Sequence, residues 1–265
     1  MIWRLYSLEI FKMARSLVTW ITFLCFLVLV IFLFGSYYYN GLEHGSVSTF
    51  RFPRAWPRVL TDGASLAATF SAVLIALMTA SEFDWRTSRQ NVIDGLSKGQ
   101  WFSAKLLLLP TVAICFYSTE LIIAGALAWV GTEPGTSTTE LLSSAYFISI
   151  AGVFTGIICY ASIALLLSLL TRSAGPALGF TLVYQVFEII TTRTLRGLDF
   201  DRLADCFPFQ VHMAMFRYEQ YLPAGSEARM KMDILWDTSD LFAACIGWII
   251  AFVLVAWVVY WKRDL

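Results

Sequence analysis

Charge is scarce in this chain. Only 14% of the 265 residues are charged, 19 basic against 19 acidic, where ordinary soluble domains carry about 25%. The zero net charge removes the electrostatic footprint that nucleic-acid binding needs, so no nucleic-acid partner is expected. Histidine is rarer still. His44 and His212 stand alone and H-E-x-x-H does not occur, so no metal site is expected. The five cysteines, Cys25, Cys115, Cys159, Cys206 and Cys245, are odd in number and widely spaced. That pattern excludes a disulfide framework and a C-x-x-C redox or metal site, and leaves them as small apolar residues. G-x-x-x-x-G-K-[ST] and G-x-S-x-G are absent as well. The chain therefore has neither a phosphate loop of its own for ATP nor a nucleophile elbow, and no catalytic residue is assigned.

What the chain does have is apolar length. Apolar residues make up 58% and aromatics 16%, which points to an integral membrane protein. Six runs approach the roughly 20 residues needed to cross a bilayer: 17–37, 64–81, 103–130, 145–171, 174–192 and 241–261. The fold class expected is an all-α polytopic membrane protein forming a single transmembrane domain over 1–265. No small-x-small cleavage site follows the first run, so it reads as a retained span. Pro110 sits within the third run, where it removes a backbone hydrogen bond and can bend the helix.

Before the first span, residues 1–16 alternate apolar and charged side chains. Leu5, Leu8, Phe11 and Met13 fall among Arg4, Glu9, Lys12 and Arg15, the composition of a helix lying in the headgroup layer of the lipid bilayer. Basic residues near span ends set the orientation. Ten of the 19 fall on the side of the amino terminus, and six of the other nine are spread over the long segment from Arg193 to Lys231. Weighted to short loops, this places both termini in the cytoplasm.

The segment between the second and third spans, 82–102, is more than a turn. Trp85, Arg89, Val92, Ile93 and Leu96 recur at three- and four-residue steps, and Gly95 and Gly99 can stop the helix they imply. A short amphipathic helix there can lie on the membrane or enter a partner's groove. The segment 193–240 contains F-P-F-Q-V-H-M-A-M-F, too short to span and of the length of a re-entrant or interfacial piece.

Two carboxylates fall within spans, Glu120 and Glu188. A charge at membrane depth must face protein or water. Glu188 belongs to a stripe with Thr181, Tyr184 and Gln185 at helical spacing. That stripe suits either a translocation path or hydrogen bonding between helices, and Glu120 is a further candidate for the path. Gly152-x-x-x-Gly156 and Gly175-x-x-x-Gly179 permit close helix approach, with packing within the chain expected ahead of the alternative, a subunit interface.

Taken in order, these features resemble the permease subunits of ABC-2 type transporters. They are the lead with Glu9 and Lys12, a first span, E-F-x-x-x-T-x-R-Q-N-x-I-D-G-L-S from Glu82 to Ser97, and Lys105 opening the next span. The resemblance covers the six-span layout and is most specific over Glu82–Lys105. It implies that 82–102 is a coupling helix seated in a cleft of a separate ATPase. Glu82, Phe83, Arg86, Thr87, Arg89, Gln90, Asn91, Asp94, Gly95 and Leu96 would then lie at the contact. Lys98 departs from the Arg that related sequences often carry there, changing hydrogen-bond geometry but not charge. The resemblance further implies two re-entrant helices within 193–240, two ATPase copies, and a second permease copy or sister chain. ATP and Mg would sit on the ATPase and no cofactor on this chain. The expected setting is a bacterial inner membrane and the expected function ATP-driven transport, export rather than import, with no catalysis by this subunit. The alternatives are a non-transporting scaffold for an ATPase and a membrane enzyme subunit built on Asp199, Asp201, Asp205 and His212.

Overall fold

The structure, a computed structural model, describes residues 2–43, 50–52, 55–85, 96–132, 144–217 and 238–262. These form helices α1 (Ile2–Arg15), α2 (Leu17–Glu43), α3 (Trp56–Thr61), α4 (Ala64–Asp84) and α5 (Lys98–Val130). They continue with α6 (Ser144–Thr171), α7 (Ala174–Arg196), α8 (Asp201–Asp205), α9 (Pro208–Arg217) and α10 (Thr238–Lys262). Among the described residues, six stretches are long and apolar enough to cross a membrane: Leu17–Tyr39, Arg58–Asp84, Lys98–Val130, Tyr146–Thr171, Ala174–Arg196 and Ser239–Lys262.

Helices α4 and α6 form the centre, and each has 67% of its spanning window buried, against 11% for α10. The reason lies in side-chain size. Ala64, Ala68, Ala72, Ala76 and Ala80 recur at four-residue steps along α4 and are all buried, so the backbones approach closely. The Ser168 hydroxyl of α6 donates across this contact to the Ala76 carbonyl at 3.4 Å. Around the pair, α2 and α5 interlock through Phe26, whose ring meets Phe116 at 4.8 Å and Phe70 at 5.5 Å.

Helix ends depart from the apolar runs because backbone hydrogen bonding does not stop where apolar residues stop. α4 continues to Asp84. α5 begins at Lys98 because Ser97 caps it: the Ser97 hydroxyl accepts from the Gln100 amide at 3.2 Å, and the Gln100 side chain accepts from the Ser97 amide at 3.1 Å. Both ends of the 82–102 segment are thus turns of spanning helices. Pro110 lies inside the unbroken α5. Helix α7 runs on to Arg196, and α9 packs on α6 and α10 with Val211, Ala214 and Met215 buried.

The two glycine spacings behave differently. Gly152 and Gly156 are buried. Gly175 and Gly179 are exposed, and a Cβ on either would meet nothing within 4 Å. The expectation that this second spacing packs within the chain is corrected. α7 turns Ala177, Thr181, Glu188 and Thr192 inward, which leaves the two glycines facing away.

Candidate functional site

The last three residues of α4 each engage a different neighbour. Glu82 is 7% exposed, and its carboxylate accepts from the Lys105 ammonium at 2.9 Å, the Lys12 ammonium at 3.2 Å and the Trp101 indole N–H at 2.8 Å. Lys105, itself buried, also donates to Glu9. Lys12 donates to Glu9 at 2.9 Å, closing a four-membered cluster of two acids and two bases. Because Glu9 and Lys12 lie on α1, Glu82 on α4 and Lys105 on α5, the cluster ties three helices together with no net charge. Removing one member of such a set strands a buried charge, which costs about 3–5 kcal/mol. Burial lowers the pKa of Lys12, but Glu82 and Glu9 more than reverse this and hold it above the ordinary lysine value.

Phe83 and Asp84 extend the junction. The Phe83 ring meets Trp101 edge-on at 5.8 Å, and the Arg172 guanidinium lies over the same ring, 5.5 Å from its centroid. Trp101 in turn stacks on Tyr260 of α10 at 4.6 Å, and Lys98 donates to the Trp261 carbonyl at 3.2 Å. The Asp84 carboxylate accepts from the Ala174 amide at 2.9 Å. An acid there satisfies a first-turn N–H of α7 and complements its helix dipole. Arg172 reaches its place with φ of 54°, a left-handed conformation uncommon for a non-glycine residue.

Of the contact residues expected in the coupling segment, Glu82, Phe83 and Leu96 are described. Arg86, Thr87, Arg89, Gln90, Asn91, Asp94 and Gly95 lie outside the described residues. Glu9 and Lys12 join Glu82, whereas Arg15 stays apart with its guanidinium 4.2 Å over the Phe11 ring. On α1 it is the acid that faces inward, while Trp3, Leu8 and Phe11 are exposed. Sequence reasoning misses Trp101 and Asp84, and it names Lys105 only as the residue that opens the third span, without its partners. A lysine opening an apolar run was the available signal, since it needs a buried partner.

The polar stripe of α7 lies elsewhere, against α6 and α9. Glu188 is 1% exposed and accepts from the Phe209 and Gln210 amides, the latter at 3.2 Å, so it caps the first turn of α9. Tyr160 of α6 donates to the Thr181 carbonyl at 2.7 Å, and Gln210 donates to the Thr192 hydroxyl at 3.4 Å. Tyr184 and Gln185 are half-buried beside them. In this arrangement the stripe makes helix-to-helix hydrogen bonds. Below it, His212 stacks on Tyr160 at 5.4 Å, and burial holds its pKa down to about 4. Glu120 is fully buried against Gly63 at the start of α4, apart from both sets.

Asp199, Asp201, Asp205 and His212 do not gather. Asp205 pairs with Arg196 at 2.8 Å, and among the described residues no group of three or more His, Cys, Asp or Glu could hold a metal ion. All five cysteines are free.

Among the described residues, six helices long and apolar enough to cross a membrane define a multi-pass helical membrane protein. Within that class, the chain belongs to the family described as protein of unknown function (DUF2705), which it matches over residues 55–265. That range holds Glu82, Lys105, Glu120 and Glu188, while Glu9 and Lys12 precede it. No curated protein matches the chain.

Proposed function

We propose that this chain is the membrane-embedded permease subunit of an ATP-driven exporter of the ABC-2 kind, with residues 82–102 as the contact for a separate ATPase. The observation that carries this reading is the junction at Glu82–Phe83–Asp84. Residues 86–95 follow closely in sequence on three residues that hold, respectively, α1 with α5, the α6–α7 turn, and the start of α7. A displacement of that stretch would be passed to four helices at once. Such a junction suits a part pushed from outside.

In this reading two ATPase subunits bind the cytoplasmic face of a dimer of this chain, or of this chain with a sister. ATP closure biases the spans between two arrangements. ATP and Mg sit on the ATPase, and this subunit performs no covalent chemistry. Both termini are cytoplasmic, and the short helices α8 and α9 are re-entrant pieces on the far side. The inward Glu9 and outward Trp3, Leu8 and Phe11 support α1 as an interfacial helix, braced to the bundle and resting its apolar side on lipid.

The test is affinity purification of the full chain from its native membrane. An ATP-hydrolysing partner is expected to co-purify and to be lost on charge reversal at Arg86, Arg89 and Asp94, with membrane insertion unchanged. Capture that survives the reversal, or the absence of any nucleotide-hydrolysing companion, would count against the reading.

A further inference from the structure

Helix α1 sorts its charges by face. Glu9, its only acid, is buried toward α4 and α5 and is met there by Lys12 and Lys105. Arg4 and Arg15 lie on the other side. They are eleven residues apart, about three turns, so they stand in one line about 16 Å long. Both are exposed, together with Trp3, Ser7, Leu8 and Phe11, and neither joins a salt bridge among the described residues. The outer face of α1 thus carries two positive charges and no negative one of its own, set among large apolar side chains.

Two further observations bear on what this face meets. The first span begins at Leu17, two residues after Arg15, and its Leu17, Trp20, Ile21 and Leu24 are exposed. The Trp20 indole donates to the Ala14 carbonyl at 2.8 Å, so the last turn of α1 sits beside the first turn of the span. Indole rings favour the membrane–water boundary, where the fixed anions are lipid phosphates. Farther along, Trp3, Arg4, Ser7, Leu8 and Phe11 line an open hollow of about 620 Å³, so a cation and apolar walls share one space. A soluble acidic partner would match the arginines and leave the apolar side chains unused. A zwitterionic bilayer would take the apolar side chains but offers phosphates already paired with choline. An anionic phospholipid answers both.

We propose that the outer face of α1 is a binding surface for anionic phospholipids, in which Arg4 and Arg15 each take a headgroup phosphate while Trp3, Leu8 and Phe11 enter the acyl layer. At about 16 Å the two arginines are too far apart to share one phosphate, and each guanidinium presents paired N–H donors that match phosphate oxygens. Arg15 lies 4.2 Å over the Phe11 ring, which sets a cation against an apolar anchor. Because Glu9 and Lys12 brace α1 to α4 and α5, lipid engages a helix already oriented, which spares the cost of ordering it. The proposal rests on α1 lying at the membrane surface, as read above, and not on what binds residues 86–95.

The test has two measurements on the full chain. In phosphatidylcholine nanodiscs containing a nitroxide-bearing phospholipid, a fluorescent amino acid in place of Ser7 is expected to be quenched. Separately, the chain is offered equal amounts of phosphatidylglycerol and phosphatidylcholine in detergent, and the retained lipid is counted by native mass spectrometry. Phosphatidylglycerol is expected in excess by up to about fivefold per arginine. The excess should shrink with salt, vanish in R4Q/R15Q and largely survive in R4K/R15K, which keeps the charge. Quenching with equal retention of the two lipids would overturn the anionic preference and leave α1 at the surface. Absence of quenching would overturn the surface position and the proposal with it. An excess that R4Q/R15Q leaves unchanged would put the lipid elsewhere on the bundle and overturn the role of α1.

Discussion

Glu82 and Glu120 are both glutamates sunk in the bundle, 7% and 0% exposed, and they are solved in opposite ways. Glu82 is met by two ammonium groups and an indole N–H. Glu120 is met by a glycine, a tyrosine engaged elsewhere and another acid. A charge stays buried when its counter-charges are buried with it, and otherwise gives way to the neutral form. The Glu82 end is therefore a fixed brace, whereas at the Glu120 end the carboxyl is packed against Gly63 without a salt bridge among the described residues. Glu188 falls between them, held by two backbone amides at the start of α9.

The sharpest way to break this comparison is to remove the buried one of the two shared cations. K105M leaves Glu9 and Glu82 with Lys12 alone between them, and a loss of about 3–5 kcal/mol is expected in unfolding of the detergent-solubilised chain. Adding E82Q should recover part of it, because the two residues act as a unit. His212 tests the same rule from the basic side, as a base kept neutral by burial. Its pKa falls from 6.5 to about 4, so its contribution is complete above 6.5 and drains away as pH falls toward 4. The loss should reach about 3 kcal/mol at the acid end. It should be visible as a pH-dependent difference in melting temperature between wild type and H212Q.

A smaller effect follows from D84A, which uncaps α7 at about 1 kcal/mol and should speed hydrogen exchange of the Ala174 amide. The smallest is E120Q. It breaks no salt bridge among the described residues and keeps the side-chain shape, so in the same unfolding measurement it should cost less than E82Q alone. Equal losses in E82Q and E120Q would erase the distinction between the two ends.

The spans were legible because apolar length is a property of neighbouring residues. The apolar runs 145–171 and 174–192 nearly coincide with α6 and the start of α7. The arginines at 193 and 196 ended the run but not the helix, since Arg193 and Arg196 still accommodate helical backbone at a basic C-terminus. The inward side of α7 was also legible, as Thr181, Glu188 and Thr192 share one side at helical spacing. Partners were another matter. Nothing in E-x-x-K at residues 9–12 tells that Lys105, more than ninety residues on, will complete the set. No spacing rule links Glu188 to the amides of α9, because that cap is made by tertiary packing. Glu120 was visible as an intramembrane acid, yet its isolation is a property of what surrounds it.

α5 carries Lys105 and Glu120 on one continuous rod, fifteen residues and about 22 Å apart at 1.5 Å per residue. At one end the rod is bolted by salt bridges, and at the other it rests against a glycine. Pro110 lies between them, where a missing backbone hydrogen bond makes helices easiest to bend. A torque applied near Lys105 is thus either spent at that fulcrum or delivered to Gly63, and the stiffness of a single turn of helix decides which.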